Sequence, residues 1–170
     1  MAFYVNPLDK DGECATMGTL AEDLFYKILK TRGEVRKATT RENKSHCDLF
    51  LTVGNKITSY DVKSMKKVSR NDSDTSGELV WVEWSGIYGG LGWLMMGADF
   101  IVFEQAHSFI IINRIKLKNL CEKLCDMTSL VKSSKDALYK CYQRHGRNDL
   151  ISLIKTSDIL SSADEIVNKI

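Results

Sequence analysis

The spacing of hydrophobic residues predicts a helix near the start of the chain. Between residues 17 and 29 apolar side chains recur every three to four positions, as they do on one face of an α-helix, and Gly33 ends the pattern. Residues 35–39 are typical of a short strand, and the polar run TTRENKSH that follows is typical of a connector.

Two short runs rich in β-branched and aromatic residues, 48–53 and 57–63, predict a β-hairpin whose loop is Gly54-Asn55. With that loop the numbers of paired residues sum to 109, which places Asp48 opposite Asp61 and His46 opposite Lys63. Alternate side chains of a strand share one face, so Lys63 would lie beside Asp61. The pattern predicts two carboxylates and an amine on one face of the hairpin.

The rest of the chain predicts further strands and then helices. Strands are expected at 79–84, 99–103, 108–113 and 150–154, a loop at 70–77, and a glycine-rich stretch with one short helix at 86–97. Residues 116–127, 135–143 and 163–170 have helical character. This order predicts an α/β chain of the mixed α+β kind, with a central mixed sheet flanked by helices.

Composition favours one water-soluble domain over residues 1–170, with a core at about 16–113 and an extension at about 114–170. No apolar run reaches the roughly 20 residues of a membrane helix, and the first residues lack the pattern of a secretory signal. Five cysteines without a C-x-x-C pair indicate reduced thiols. We therefore expect a cytoplasmic protein with no membrane partner.

The net charge is only +2, but basic residues cluster in two segments. One segment follows the hairpin, and the other mixes basic and aromatic side chains without an acid. Such patches suit a polyanion, although each alone is equally typical of a solvated surface. The expected nucleic-acid contacts are Lys66, Lys67, Arg70, Tyr139, Arg144 and Arg147.

Two carboxylates that face each other across a hairpin destabilise it unless a cation offsets the repulsion. Carboxylate oxygens, completed by water and a substrate phosphate, favour Mg²⁺ over zinc, and Mn²⁺ would substitute for Mg²⁺. The implied reaction is metal-assisted hydrolysis of a phosphodiester, with Lys63 orienting water or offsetting charge. Glu22, on the first helix, is a candidate third carboxylate.

Three segments, in this order, resemble the PD-(D/E)XK nuclease superfamily: GTLAEDLFYKIL with Glu22, HCDLFLTV with Asp48, and SYDVKSMKK with Asp61, Val62 and Lys63. The resemblance covers about residues 16–104 and implies a restriction-endonuclease-like or Holliday-resolvase-like core. It also implies that Asp48, Asp61 and the main-chain carbonyl of Val62 bind the metal. Lys63 would be the catalytic lysine, and Glu22 would contact the metal directly or through water. Cys47 replaces the proline that often precedes the first aspartate.

Each of these residues also has a purely structural interpretation. Thr19 and Glu22 fit a helix-capping box, Asp48 could be satisfied by backbone amides, and Lys63 could be solvated. The chain holds two acid-x-Lys triplets, of which only Asp61-Val62-Lys63 ends a predicted strand. Glu83 could add a metal ligand, but the alternating strand around it favours a position facing water.

The sequence therefore predicts a small Mg²⁺-dependent DNA nuclease, with RNA not excluded as a substrate. Junction-resolving, repair-associated, restriction-like and phage-encoded enzymes all fit such a chain, as does a homodimer. The alternative from another class is a nucleic-acid-binding protein that keeps the nuclease fold without cutting. A third interpretation is an interaction protein with no nucleic-acid partner.

Overall fold

The chain forms four α-helices and ten β-strands within residues 12–69 and 71–170, the part that the computed structural model describes. Arg70, a predicted nucleic-acid contact, lies outside the described residues. In chain order the elements are α1 (Glu13–Lys30), β1 (Glu34–Lys37), α2 (Thr40–Lys44), β2 (Leu49–Val53), β3 (Lys56–Lys63), β4 (Leu79–Ser85), β5 (Phe100–Glu104), β6 (Ser108–Asn113), α3 (Arg114–Leu124), β7 (Asp126–Val131), β8 (Lys140–Tyr142), β9 (Leu150–Lys155), α4 (Thr156–Leu160) and β10 (Glu165–Asn168).

The strands form two mixed sheets. The first has the order β1-β2-β3-β5-β6-β10, in which β3 and β5 are parallel and the other neighbours antiparallel. The second has the order β4-β9-β8-β7, in which β7 and β8 are parallel. This arrangement confirms the predicted mixed α+β class. No helix in the described part of the chain has the length and apolar content of a membrane span.

Side-chain alternation along the central strands divides the core into two clusters. Val62, Val102 and Ile111 pack with the apolar face of α1 on one side of the first sheet. Ile101 and Ile110, on the other side, pack with residues of α3, β4 and β9. Successive side chains of a strand point to opposite faces, so Asp61 and Lys63 point away from the α1 face.

The predicted hairpin is confirmed with its register. Leu49 pairs with Tyr60 and Val53 with Lys56, which leaves Gly54 and Asn55 as the loop. Gly54 has a φ of 59°, a left-handed conformation that glycine adopts at little cost. Asp48 lies one residue before the paired part of β2.

The predicted connector TTRENKSH instead contains the short helix α2. Its N-cap Thr39 accepts a hydrogen bond from the Glu42 main-chain N–H, and the Glu42 side chain accepts one from the Thr39 main-chain N–H. This reciprocal pair is a capping box, which stabilises the first turn of a helix. The S/T-x-x-E spacing was present in the sequence and is the signal that could have identified α2.

Four predicted helical segments are wrong in part or entirely. The third helix ends at Leu124 because Cys125 is already extended, and β7 follows. Residues 135–143 hold the end of a 3₁₀ turn and β8 rather than a helix, and residues 86–97 form turns. The chain end forms β10, which pairs with β6. Edge pairing supplies β10 with backbone partners that local sequence propensity does not reveal.

Candidate active site

Asp61 and Lys63 form an ion pair at the end of β3. The Nζ atom of Lys63 lies 2.7 Å from Oδ1 of Asp61, as their shared strand face predicts. Asp61 is only 2% exposed, whereas 25% of the Lys63 side chain is exposed. Nζ also lies 5.0 Å from the centroid of the Trp93 ring, within the range of a cation–π contact. The amine is thus held between a carboxylate and an aromatic face.

The second oxygen of Asp61 is the unusual atom of this site. Oδ2 is buried and has no hydrogen-bond partner among the described residues. Burial raises the pKa of Asp61 well above its usual value; Lys63 opposes that rise and the Asp48 carboxylate adds to it. A buried oxygen that lacks a donor is costly, so this carboxylate is suited to an additional cationic partner.

Asp48 is held against β3 by its own side chain. Its Oδ2 accepts a hydrogen bond from the main-chain N–H of Val62 at 2.8 Å, and its Oδ1 accepts one from Nδ2 of Asn43 at 2.7 Å. This backbone amide satisfies Asp48 as its structural interpretation predicts. The same bonds fix the carboxylate close enough to Asp61 to raise its pKa.

Glu22 lies in the middle of α1, so it cannot be a capping residue. The helix begins at Glu13, and Oγ1 of Thr19 donates to the carbonyl of Ala15 within it. Burial and the nearby Asp48 carboxylate raise the pKa of Glu22 to about 7, and Lys63 acts in the opposite direction. The helix therefore brings Glu22 close enough to Asp48 and Lys63 for their charges to act on its pKa.

Lys63 stays charged despite its surroundings. Burial lowers its pKa, but the carboxylates of Asp61, Asp48 and Glu83 outweigh that effect, and the net pKa is raised. An ammonium ion is therefore the form present at neutral pH.

Glu83 belongs to this site, although the sequence favoured a position facing water. It is partly buried in β4, where burial raises its pKa and the charges of Lys63 and Arg144 lower it. A Cβ atom on Gly92 would lie 2.3 Å from the Glu83 carbonyl oxygen, so only glycine permits this approach. No local signal in the sequence links Glu83 to Lys63, because β4 and β3 belong to different sheets.

The donor set is compatible with Mg²⁺. In the described ranges 12–69 and 71–170, no three His, Cys, Asp or Glu side chains form a ready metal cluster. Mg²⁺ in proteins commonly has one or two carboxylate ligands and takes its other oxygens from water and substrate phosphate. The partnerless Oδ2 of Asp61 beside Asp48 fits that smaller set.

Comparisons with known proteins leave the family open. No protein-family model and no curated protein sequence matches the chain. Among solved structures, a bacterial homing endonuclease, I-Ssp6803I, is similar with 17% identity and a TM-score of 0.43, over 61% of this chain and 70% of that chain. A likeness this loose carries no argument about what this chain does.

Only some of the predicted nucleic-acid contacts lie on an exposed surface near the site. Lys66 and Lys67 follow β3 and are exposed, and the Lys67 carbonyl accepts a hydrogen bond from Trp81 Nε1. Tyr139 is partly buried, and its hydroxyl donates to Oδ2 of Asp158 at 2.5 Å. Burial and this carboxylate raise the pKa of Tyr139 to about 12.

Arg144 forms an ion pair with Asp149, which is 0% exposed. The charge of Arg144 also lowers the pKa of Glu83. Arg144 therefore lies on the same side of the site as Glu83, whose strand β4 belongs to the second sheet. Arg147 is partly buried in the same loop, and its main-chain N–H donates to the Arg144 carbonyl at 3.1 Å.

Proposed function

We propose that this chain is a Mg²⁺-dependent nuclease of the PD-(D/E)XK type that hydrolyses phosphodiester bonds in DNA. The observation that carries the proposal is the Asp61–Lys63 ion pair, in which one oxygen of a buried carboxylate is paired and the other has no partner among the described residues. A binding protein gains nothing from this arrangement, because the buried charge is costly. A nuclease gains a ligand and an ammonium ion at one place.

The metal would be held by Asp48, Asp61 and the main-chain carbonyl of Val62, with Glu22 reaching it directly or through water. Mg²⁺, when bound, supplies Lewis-acid polarisation of the phosphoryl oxygen and a lower pKa for water. Glu22 would bind this group in its ionised form, which its pKa of about 7 makes available near neutral pH.

Lys63 would act on the reacting atoms through its ammonium group. Nζ would orient the attacking water and offset the negative charge that develops on the phosphoryl oxygens. The water oxygen forms a bond to phosphorus, and the bond from phosphorus to one sugar oxygen breaks. The water loses a proton to solvent, and the departing sugar oxygen gains one.

The charge around the site supports DNA as the substrate. Lys66 and Lys67 lie just beyond the end of β3 and are exposed, so they can contact phosphates on either side of the cleaved bond. Contacts of this kind carry no sequence information and give a binding affinity that falls as salt rises. Specificity would then come from DNA shape, from dimerisation or from another part of the surface.

The test compares cleavage of plasmid, linear, single-stranded and branched DNA by wild type, Asp61→Asn and Lys63→Met, with Mg²⁺ or Mn²⁺. We expect metal-dependent cutting by the wild type and a loss of about 100-fold or more in each variant. Lys56→Met is the matched control, because Lys56 is exposed at the opposite end of the same strand.

Calorimetric titration with Mg²⁺ gives a second, activity-independent measurement. We expect binding by the wild type and none by Asp61→Asn. Absence of cleavage with intact DNA binding would favour the binding-protein alternative, and absence of both would overturn the proposal.

A further inference from the structure

A turn beside the candidate site projects an aromatic side chain. Residues 85–91 form a narrow turn, called the tip below, because Ser85 and Leu91 are bridged and the Gly86 N–H donates to the Gly90 carbonyl at 2.8 Å. Tyr88 stands on this tip and is 84% exposed. Large apolar groups displayed this openly are a common mark of an interaction surface.

The base of this turn is attached to the candidate active site. The His46 imidazole lies near both: burial and the charge of Lys63 lower the pKa of His46, and the Leu91 main chain acts in the opposite direction. The next residue, Gly92, packs directly on the Glu83 carbonyl. The turn is therefore fixed next to Lys63 and Glu83.

A basic loop, residues 143–148, runs beside the turn. The Asn148 N–H donates to the Ile87 carbonyl at 3.4 Å, and Oγ of Ser85 donates to the Asn148 carbonyl at 3.4 Å. We call residues 85–91 and 143–148 together the ridge. Its basic side chains are Arg144, which pairs with the fully buried Asp149, and Arg147, with His145 between them.

Resting on the proposed nuclease function, we propose that the ridge binds double-stranded DNA and inserts the tip with Tyr88 into the major groove beside the cleaved phosphodiester. The major groove admits elements the size of an α-helix or a two-stranded β-ribbon, so a single bridged turn such as residues 85–91 can enter it. The basic loop complements the phosphates that border the groove. A Cβ atom at Gly89 or Gly90 would meet no atom of the described residues within 4 Å, so this part of the tip has open space around it.

This placement gives the ridge a role separate from the chemistry. The ring and hydroxyl of Tyr88 would contact base edges, so they would determine where the duplex is cut and how tightly it is held. Asp61 and Lys63 would still determine the rate of the chemical step.

The test measures the Kd of the full chain for a labelled DNA duplex in EDTA, for the wild type, Tyr88→Ala and Tyr88→Phe. We expect Tyr88→Ala to raise Kd about 5-fold or more, as losing one base contact does, and Tyr88→Phe to raise it less. The slope of log Kd against log salt should stay the same, because no charge is removed. Ile57→Ala is the matched control, since Ile57 is 63% exposed at the far end of β3.

A second duplex, whose cytosines carry a bulky glucosylated hydroxymethyl group, fills the major groove. We expect the wild type to bind the modified duplex as weakly as Tyr88→Ala binds plain DNA. The affinity of Tyr88→Ala should be the same for both duplexes. Wild-type affinity for this duplex equal to that for plain DNA would overturn groove insertion. If the wild type binds and cuts DNA, an unchanged Kd for Tyr88→Ala would also overturn groove insertion. A wild type that neither binds nor cuts DNA would instead overturn the proposed function.

Discussion

Lys63 and Asp61 are two residues apart on β3, and Nζ of the lysine lies 2.7 Å from Oδ1 of the aspartate. The lysine is the only ion-pair partner of Asp61 among the described residues. Because the aspartate is almost fully buried, the stability of the chain depends on this one cation.

Replacing Lys63 by Met should therefore destabilise the metal-free protein. Removing one partner of a buried pair typically costs about 3–5 kcal/mol, and we expect the lower end because a quarter of the Lys63 side chain is exposed. Asp61 can escape the cost by taking a proton, so the deficit should be small near pH 4 and grow as pH rises. Denaturant unfolding in EDTA at several pH values measures it.

The double variant Lys63→Met with Asp61→Asn serves as the control for this effect. With neither member of this pair charged, it should recover most of the lost stability and show little of the pH dependence. A deficit in Lys63→Met that is the same at pH 5 and pH 8 would contradict this explanation.

The part of the fold that the sequence predicted well is the part governed by local patterns. The register between Leu49 and Tyr60 follows from the two-residue loop, and alternation along β3 places Asp61 next to Lys63. Glu83 could not be placed, because its approach to Lys63 depends on how the second sheet packs. The chain end was misjudged for the same reason, since Ile166 is in a strand only because β6 offers it an unpaired edge.

The raised pKa of Glu22 predicts that the metal-free protein loses stability as pH rises. The folded value is about 7 against an ordinary 4.5, so the folded chain holds a proton that the unfolded chain releases between those values. The contribution of Glu22 to the free energy of unfolding is therefore fully present below about pH 4.5 and is lost as the pH rises to about 7. Thermal unfolding in EDTA from pH 4.5 to 8 should show this decline, and Glu22→Gln should flatten it.

Saturating Mg²⁺ should reduce this loss of thermal stability with rising pH, because a nearby cation favours the ionised form of the Glu22 carboxylate. Identical pH profiles for wild type and Glu22→Gln would show that Glu22 is not the titrating group.

Gly92→Ala should be among the most damaging small substitutions outside the site. The added methyl would lie 2.3 Å from the Glu83 carbonyl oxygen, so the backbone of β4 or of the turn must move. We expect a loss of about 1–3 kcal/mol, typical of overpacking, and reduced cleavage through displaced Glu83. Gly18→Ala lies in the interior of α1, where the added Cβ meets no described residue within 4 Å, and should instead stabilise the chain by about 0.5–1 kcal/mol.

Arg144 gives a prediction in which the folding effect must be separated from the binding effect. Asp149 is fully buried and pairs with Arg144, so Arg144→Ala leaves an uncompensated buried charge and should cost about 3–5 kcal/mol of unfolding free energy. Weaker DNA binding in that variant would therefore have two explanations.

The pair Arg144→Met with Asp149→Asn separates these explanations, because it removes the cation without leaving a buried anion. We expect its stability to lie within about 1 kcal/mol of the wild type, since replacing both partners of a buried pair is often nearly neutral. If Arg144 also contacts a phosphate, the double variant should bind DNA more weakly, and its salt slope should fall by about 1. Affinity and slope equal to those of the wild type would show that Arg144 serves only to pair with Asp149.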